Sequence, residues 1–180
     1  MPVMSRLEVE IRPATLEHLS EIARLAGEIW HAYYPGIISP DQIDYMLRQM
    51  YSLETLATEI SQKDIHFERL LLHEKLIGFA SYGPTTDPRV YKLHKLYVLP
   101  EQHGRGLGSQ LLTHCERAAA GCGAQRLILA VNKRNERAMR SYQRNGYTVI
   151  DSVVVDIGGG HVMDDFIMSK TVRATSIEAN

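Results

Sequence analysis

At 180 residues the chain is long enough for one domain with a sizeable core, and its 44% apolar and 23% charged residues are ordinary for a soluble globular enzyme. A net charge of −1 gives no electrostatic footing for nucleic acid, and no run approaching about twenty apolar residues is present to cross a membrane. Two cysteines, Cys115 and Cys122, are too few for a disulfide scaffold; with no apolar N-terminal run of signal-peptide length, they read as reduced thiols of a cytoplasmic protein.

In chain order, alternation over Leu7 to Ile11 predicts a first strand, ended by Arg12-Pro13. Thr15 is an N-cap candidate, and Leu16, Leu19, Ile22, Ala23, Ala26, Ile29 and Trp30 trace one helical face. Tyr33-Tyr34-Pro35-Gly36 ends that helix. Ser39-Pro40-Asp41-Gln42 reads as a capping box with Pro at the first helical position, opening a helix that turns Ile43, Met46, Leu47 and Met50 inward. Ser52 opens a third, short helix. Ile65 to Leu72 and Leu76 to Tyr82 read as a hairpin about His73-Glu74-Lys75, and Val90 to Leu99 as a further strand. A helix follows, with Leu107, Leu111, Cys115 and Ala118 on one face. Then come a strand over Arg126 to Val131, a helix from Asn135, a strand from Tyr147 to Ile157, a Gly158-Gly159-Gly160 turn, and a last strand over Val162 to Ser169. The order predicts an α/β fold: a mixed central sheet of about six to seven strands with helices on both faces, in a single domain over 1–170, with 171–180 as a loose tail.

Eight histidines raise the question of a metal, but no His-x-x-x-His pair and no Cys-x-x-Cys occurs, so no metal is expected.

The most informative stretch is His103-Gly104-Arg105-Gly106-Leu107-Gly108-Ser109, where a strand hands over to a helix. The first N–H groups of a helix have no internal partner and its dipole makes that end positive, while glycines permit positive φ and close approach of a ligand. This predicts an anion site, phosphate being the usual anion. A glycine at 108, inside the first helical turn, costs about 0.5–1 kcal/mol relative to alanine, so some compensating use is expected. No Lys-Ser or Lys-Thr follows the glycines, which excludes a Walker A loop. Ser109 stands where a dinucleotide fingerprint needs its third Gly or Ala, and the next strand ends in Asn132-Lys133-Arg134 without the acidic residue that fingerprint requires.

The loop closely resembles the acetyl-CoA loop of the GNAT superfamily of N-acetyltransferases, Gln/Arg-x-x-Gly-x-Gly/Ala, preceded here by Leu96-Tyr97-Val98-Leu99-Pro100. His103 departs from the Gln/Arg position. A second block, Asn135-x-x-Ala138-x-x-x-Tyr142-x-x-x-Gly146-Tyr147, is similar to the family's Asn-x-x-Ala-x-x-x-Tyr-x-x-x-Gly-Phe/Tyr, and its Asn, Ala and Tyr share a helical face. The resemblance runs over nearly the whole chain. It implies acetyl-CoA as co-substrate, with the backbone of Leu96, Tyr97 and Val98 pairing with the pantetheine arm. It places the pyrophosphate on the loop His103 to Ser109, with Arg105 adding charge, and a pantetheine contact on Asn135. Tyr142 would protonate the departing CoA sulfur, a role that suits a phenol with an ordinary pKa near 10. Read without the resemblance, Asn135 is a helix cap, Leu96 and Val98 are core, and Tyr142 is a half-buried packing residue.

For the general base the alternatives are His94, set on the same strand face as Leu96 by alternation, and a water relay. Trp30, Tyr33, Tyr34 and Tyr45 are candidates to wall the acceptor pocket, and Glu28, Asp41, Asp44 and Asp87 are acidic residues near its expected mouth. The function so implied is transfer of an acetyl group from acetyl-CoA to a primary amine, polyamine-like or peptide, by direct attack in a ternary complex. The alternative is a catalytically silent CoA-binding sensor of the same fold. A small-molecule or peptide amine is then the expected partner, with no nucleic acid and no membrane; a homodimer stays open.

Overall fold

The computed structural model describes residues 9–174. Leu7 and Glu8 of the expected first strand, and 175–180 of the expected tail, lie outside the described residues. The elements run β1 (Val9–Pro13), α1 (Leu19–Tyr33), α2 (Pro40–Met50), α3 (Leu53–Gln62), β2 (His66–Leu72), β3 (Lys75–Pro84), β4 (Val90–Val98), α4 (Leu107–Gly121), β5 (Arg126–Asn132), α5 (Glu136–Arg144), β6 (Thr148–Gly158) and β7 (His161–Thr171). All seven strands join one sheet in the order β1-β2-β3-β4-β5-β7-β6. Only β4 and β5 pair in parallel, because α4 crosses over between them; every other pair is antiparallel. The expected element order and mixed sheet are those observed.

Helix starts follow local chemistry. Ser39 Oγ accepts the Gln42 N–H at 3.2 Å and Ser52 Oγ accepts that of Thr55 at 3.1 Å, each from an extended residue preceding its helix. The reciprocal arm of the expected capping box is absent. Gln42 instead donates through Nε2 to the Val162 carbonyl at 2.8 Å, tying α2 to β7, a partner 120 residues away. Thr15 starts a single 3-10 turn, Leu16–His18, rather than α1 itself, and Leu16 is left exposed while Leu25 joins the buried face.

β3 is buried from Leu76 through Gly83, on both of its faces, with α1 and α4 packed on it and on β4. α1 contributes Ile22, Leu25, Ala26, Ile29 and Trp30, and α4 contributes Leu107, Leu111, Leu112, Cys115 and Ala119, to one contiguous core. Each such large side chain, fully buried, is worth about 1.5–3 kcal/mol. The buried Glu116 of α4 accepts from Tyr147 Oη at 3.0 Å and Lys170 Nζ at 2.8 Å, joining α4 to β7. β7 extends to Thr171, and Val172 is buried with its N–H on the Gln125 carbonyl at 3.0 Å, so the first two residues of the expected tail belong to the folded body.

Candidate active site

Beyond Leu93 and Leu129 the parallel pair β4–β5 comes apart. β4 goes on pairing with β3, but the register skips one residue: Ser81 faces Lys95 and Tyr82 faces Leu93, leaving His94 as a bulge. A bulge bends and twists its strand, which carries the end of β4 away from β5. The backbone groups of residues 94–98 that point toward β5 therefore have no strand partner there. A cleft of about 610 Å³ opens along this edge, lined by 92–98 of β4, by 129–132 of β5 and by side chains of α1, α2, α5 and β7.

One end of the cleft is the loop after β4. His103 folds its ring back so that Nε2–H donates to the Val98 carbonyl at 2.8 Å, which leaves Nδ1 buried without a partner. Gly104 and Gly106 have φ of +78° and +75°, the region glycine tolerates and side chains resist. Gly108 is different. It has an ordinary helical φ in the first turn of α4, and a Cβ built there meets no protein atom within 4 Å. Neither backbone nor packing requires a glycine at 108, whereas an anion lying against the helix N-terminus does. The glycine cradle, the open edge of β4 and the N-terminus of α4 fit the pyrophosphate and pantetheine arm of a CoA thioester.

The second motif helix lies across the cleft. Asn135 caps α5, its Oδ1 accepting from the Ala138 N–H at 3.2 Å and from Tyr33 Oη at 2.7 Å. With the oxygen so occupied, the side-chain N–H groups of Asn135 are the ones left for a ligand. Asn145 Nδ2 donates to Ser109 Oγ at 3.0 Å, fastening the end of α5 to the start of α4. Tyr142 is half-buried on the cleft wall; burial foremost, with Tyr33 and Cys115 nearby, pushes its phenol well above the ordinary value. It holds its proton throughout the neutral range.

The cleft thus brings together Leu96, Tyr97, Val98, His103, Gly104, Gly106, Leu107, Gly108, Ser109, Asn135 and Tyr142. Arg105 does not join them: its guanidinium turns back to the Gln102 side chain. Arg137, Ser141 and Arg144 do line the cleft, and the sequence reading passed over them; their i, i+4, i+7 spacing on the motif helix was the available signal.

Trp30, Tyr33 and Tyr34 all line the cleft: the Tyr33 ring stands beside the loop, 5.9 Å from that of His103, while the Trp30 and Tyr34 rings are 4.5 Å apart and the Tyr97 ring is 5.8 Å from Trp30. Tyr45 does not. Its hydroxyl donates to the Ile157 carbonyl at 2.6 Å, and its ring lies under Gly158 and Gly159 at the β6–β7 turn, where a Cβ would collide with it. None of the four expected acidic residues lines the cleft. Asp44 is bound to His31 at 2.9 Å and Asp87 to Arg89 at 3.2 Å, Glu28 lies 3.5 Å from Arg24, and Asp41 is exposed in the first turn of α2. The carboxylates that do line it are Glu59, held by Lys95 Nζ at 2.7 and 2.9 Å, and Asp165.

His94 also lines the cleft. Because it is the bulge residue, simple alternation does not set its facing relative to Leu96. The residue is exposed, yet loss of water on its cleft side, with the ammonium groups of Lys92, Lys95 and Lys63 near it, lowers its imidazole pKa below the ordinary value. At neutral pH it is uncharged and a weak proton acceptor. Among the described residues no group of three His, Cys, Asp or Glu side chains is placed to hold a metal ion, and no helix is long and apolar enough to cross a membrane.

A cleft between parting parallel strands, closed by a glycine loop at a helix N-terminus, defines an acyltransferase fold, and the family model for the acetyltransferase (GNAT) family matches residues 24–147. The chain belongs to that family and is an acyl-transferring enzyme that uses acetyl-CoA. It is 31% identical over 150 residues to a spermidine N(1)-acetyltransferase of Thermoplasma acidophilum, a match covering 81% of this chain and 92% of the relative. It is 25% identical to an aminoalkylphosphonate N-acetyltransferase of Salmonella typhimurium, over 77% of this chain and 84% of the relative. Among solved structures, the PaiA N-acetyltransferase of T. acidophilum in complex with coenzyme A superposes with a TM-score of 0.78 at 31% identity, over 92% of this chain and 99% of that one.

Proposed function

We propose that the cleft transfers the acetyl group of acetyl-CoA to the primary amine of a small cationic acceptor, polyamines foremost, by direct attack while both are bound. The observation that carries this reading is the continuity of the cleft from the glycine cradle, along the open edge of β4, to a pocket walled by aromatic and methionine side chains. The relative acting on spermidine supports an amine acceptor, as does the relative acting on aminoalkylphosphonates.

Bound acetyl-CoA supplies the thioester acyl group. The chain's own residues do the rest. N–H groups of Leu107, Gly108 and Ser109 at the start of α4, which have no partner in the helix, hold the pyrophosphate, with Arg137 and Arg144 adding charge from α5. The open edge of β4 at Leu96, Tyr97 and Val98 pairs with the pantetheine amides and offers an N–H to the carbonyl oxygen where negative charge develops. Asn135 donates through its side-chain N–H groups. These contacts make the reaction effectively unimolecular, which is where most of the acceleration comes from. Tyr142, kept protonated by burial, gives its proton to the sulfur as the C–S bond breaks. The attacking nitrogen must be neutral; its proton leaves either to His94, which its lowered pKa makes a weak acceptor, or through a water relay. Cys115 and Cys122 are both free thiols, in keeping with work in the cytoplasm.

The test is to mix the protein with acetyl-CoA and a panel of amines that includes spermidine, following free CoA and the mass of the acetylated product. Amine-dependent CoA release with a product 42 mass units heavier, about one acetyl group, is the expected outcome. Tight acetyl-CoA binding with no amine-dependent release anywhere on the panel would overturn the transferase reading in favour of a CoA-binding sensor.

A further inference from the structure

The cleft contains one carboxylate that its own walls leave without a partner. Asp165 is 5% exposed and sits on β7, opposite Asn132 of β5 and Val153 of β6. It shares a strand face with Met163, and both line the cleft; Asp164, between them, turns the other way to Lys133. No hydrogen bond or ion pair reaches the Asp165 carboxylate among the described residues: Lys92 and Lys133 act on it only at a distance, and burial foremost, with the neighbouring Asp164, raises its pKa from the ordinary carboxyl value. Glu59, the other carboxylate of the cleft, is by contrast fully engaged by Lys95. A buried, unpartnered carboxylate is costly to a fold, and a bound cation removes that cost.

Resting on the transferase reading above, we propose that Asp165 is the specificity-determining anchor for a second, non-reacting ammonium group of the acceptor, which selects di- and polyamines over amines that carry an anion. The chemistry divides the acceptor in two. The attacking nitrogen has to be neutral, so it cannot be the group held by charge; the anchored nitrogen has to stay protonated, so it must be another one. The side chains of Trp30, Tyr34, Ile38, Met46 and Met163 line the same cleft and give it an apolar surface suited to the methylene chain that joins two such nitrogens. An amino acid in the same position would bring its carboxylate toward that of Asp165. Lys92 lines the same cleft with no ion pair among the described residues, and its charge opposes a cationic ligand.

Binding of spermidine to the CoA-loaded protein, measured by titration calorimetry, tests this without turnover. Wild type is expected to bind spermidine at least tenfold more tightly than methionine. Asp165→Asn should weaken spermidine binding at least tenfold while leaving CoA affinity within twofold and the melt unchanged or higher, and Asp165→Glu should recover part of the loss. Lys92→Met should tighten spermidine binding, and that variant carries the test should Asp165→Asn not fold. Spermidine affinity in Asp165→Asn within twofold of wild type, no spermidine binding by wild type, or weaker binding in Lys92→Met would each overturn the proposal. The two readings fail separately. Asp165-dependent spermidine binding with no CoA release from any amine removes the transferase function and leaves the anchor; CoA release with some other amine, and no spermidine binding, does the reverse.

Discussion

Among the three loop glycines, Gly108 gives the cleanest test of the cradle, because its backbone would accept any residue. At Gly106 a side chain strains a left-handed backbone by about 1–2 kcal/mol whatever the ligand does, so a loss of binding there is ambiguous. At Gly108 a helical φ and open space mean that Gly108→Val should leave stability within about 0.5 kcal/mol, valine and glycine both being modest helix formers. Acetyl-CoA binding should nonetheless be lost, since the branched side chain stands where phosphate approaches. Calorimetry beside a thermal melt checks both halves; wild-type affinity in a folded Gly108→Val would refute the placement of the pyrophosphate. Tyr142→Phe should retain acetyl-CoA binding and lower kcat by about 10²–10⁴-fold, the usual contribution of a general acid, with single-turnover measurements confirming that chemistry is being read. His94 yields a prediction with a definite sign. Its imidazole takes a proton near 6.5 in the unfolded chain but only near 4 in the fold, so the unfolded state binds more protons between those values. Stability from this residue is full above about 6.5 and falls as the pH drops toward 4. The melting temperature of His94→Asn should therefore decline less than that of wild type over that window, and parallel curves would contradict the assignment.

At the scale of elements, β4 is held from two sides by different means. Its pairing with β3 is continuous apart from the bulge, while on the side of β5 only Val90 to Leu93 are paired. Lys95, one residue past the bulge, is 3% exposed and reaches back to Glu59 of α3, so an ion pair in an aromatic surround fixes the strand where it leaves β5. Burial lowers the Lys95 pKa while Glu59 opposes the shift. Removing one partner strands a buried charge, and Glu59→Gln should cost about 3–5 kcal/mol by chemical denaturation. Replacing both, as Glu59→Leu with Lys95→Met, should recover most of that loss, since apolar pairs of similar size commonly match a buried ion pair in stability. A double variant as unstable as Glu59→Gln would show that the pair does more than neutralise Lys95. This pairing was not legible in the sequence: Glu59 and Lys95 stand 36 residues apart, on a helix face and on a strand that reads as ordinary alternation. The motif elements, by contrast, were legible because their signals are local. The helix starts at Ser39 and Ser52 and the asparagine cap at Asn135 each depend on residues within one turn.

Across the whole molecule, the sequence by itself determined the order of strands and helices, the acetyltransferase family, and the two motifs that face each other across the cleft. Glycines with positive φ, caps and helical spacing are conditions a short segment meets or fails on its own, so they can be read without the rest of the chain. Only the tertiary structure decided which charges are free. Asp44 and Asp165 are the same side chain in the sequence, yet His31 of α1 occupies the first, while the second lies on β7 in the cleft with no partner among the described residues. Tyr45 likewise reads as a pocket aromatic until the β6–β7 turn, more than a hundred residues on, closes over it. Whether a polar group serves the fold or a ligand depends on what else comes within about 3 Å of it, and partners distant in the chain are brought that close only by folding.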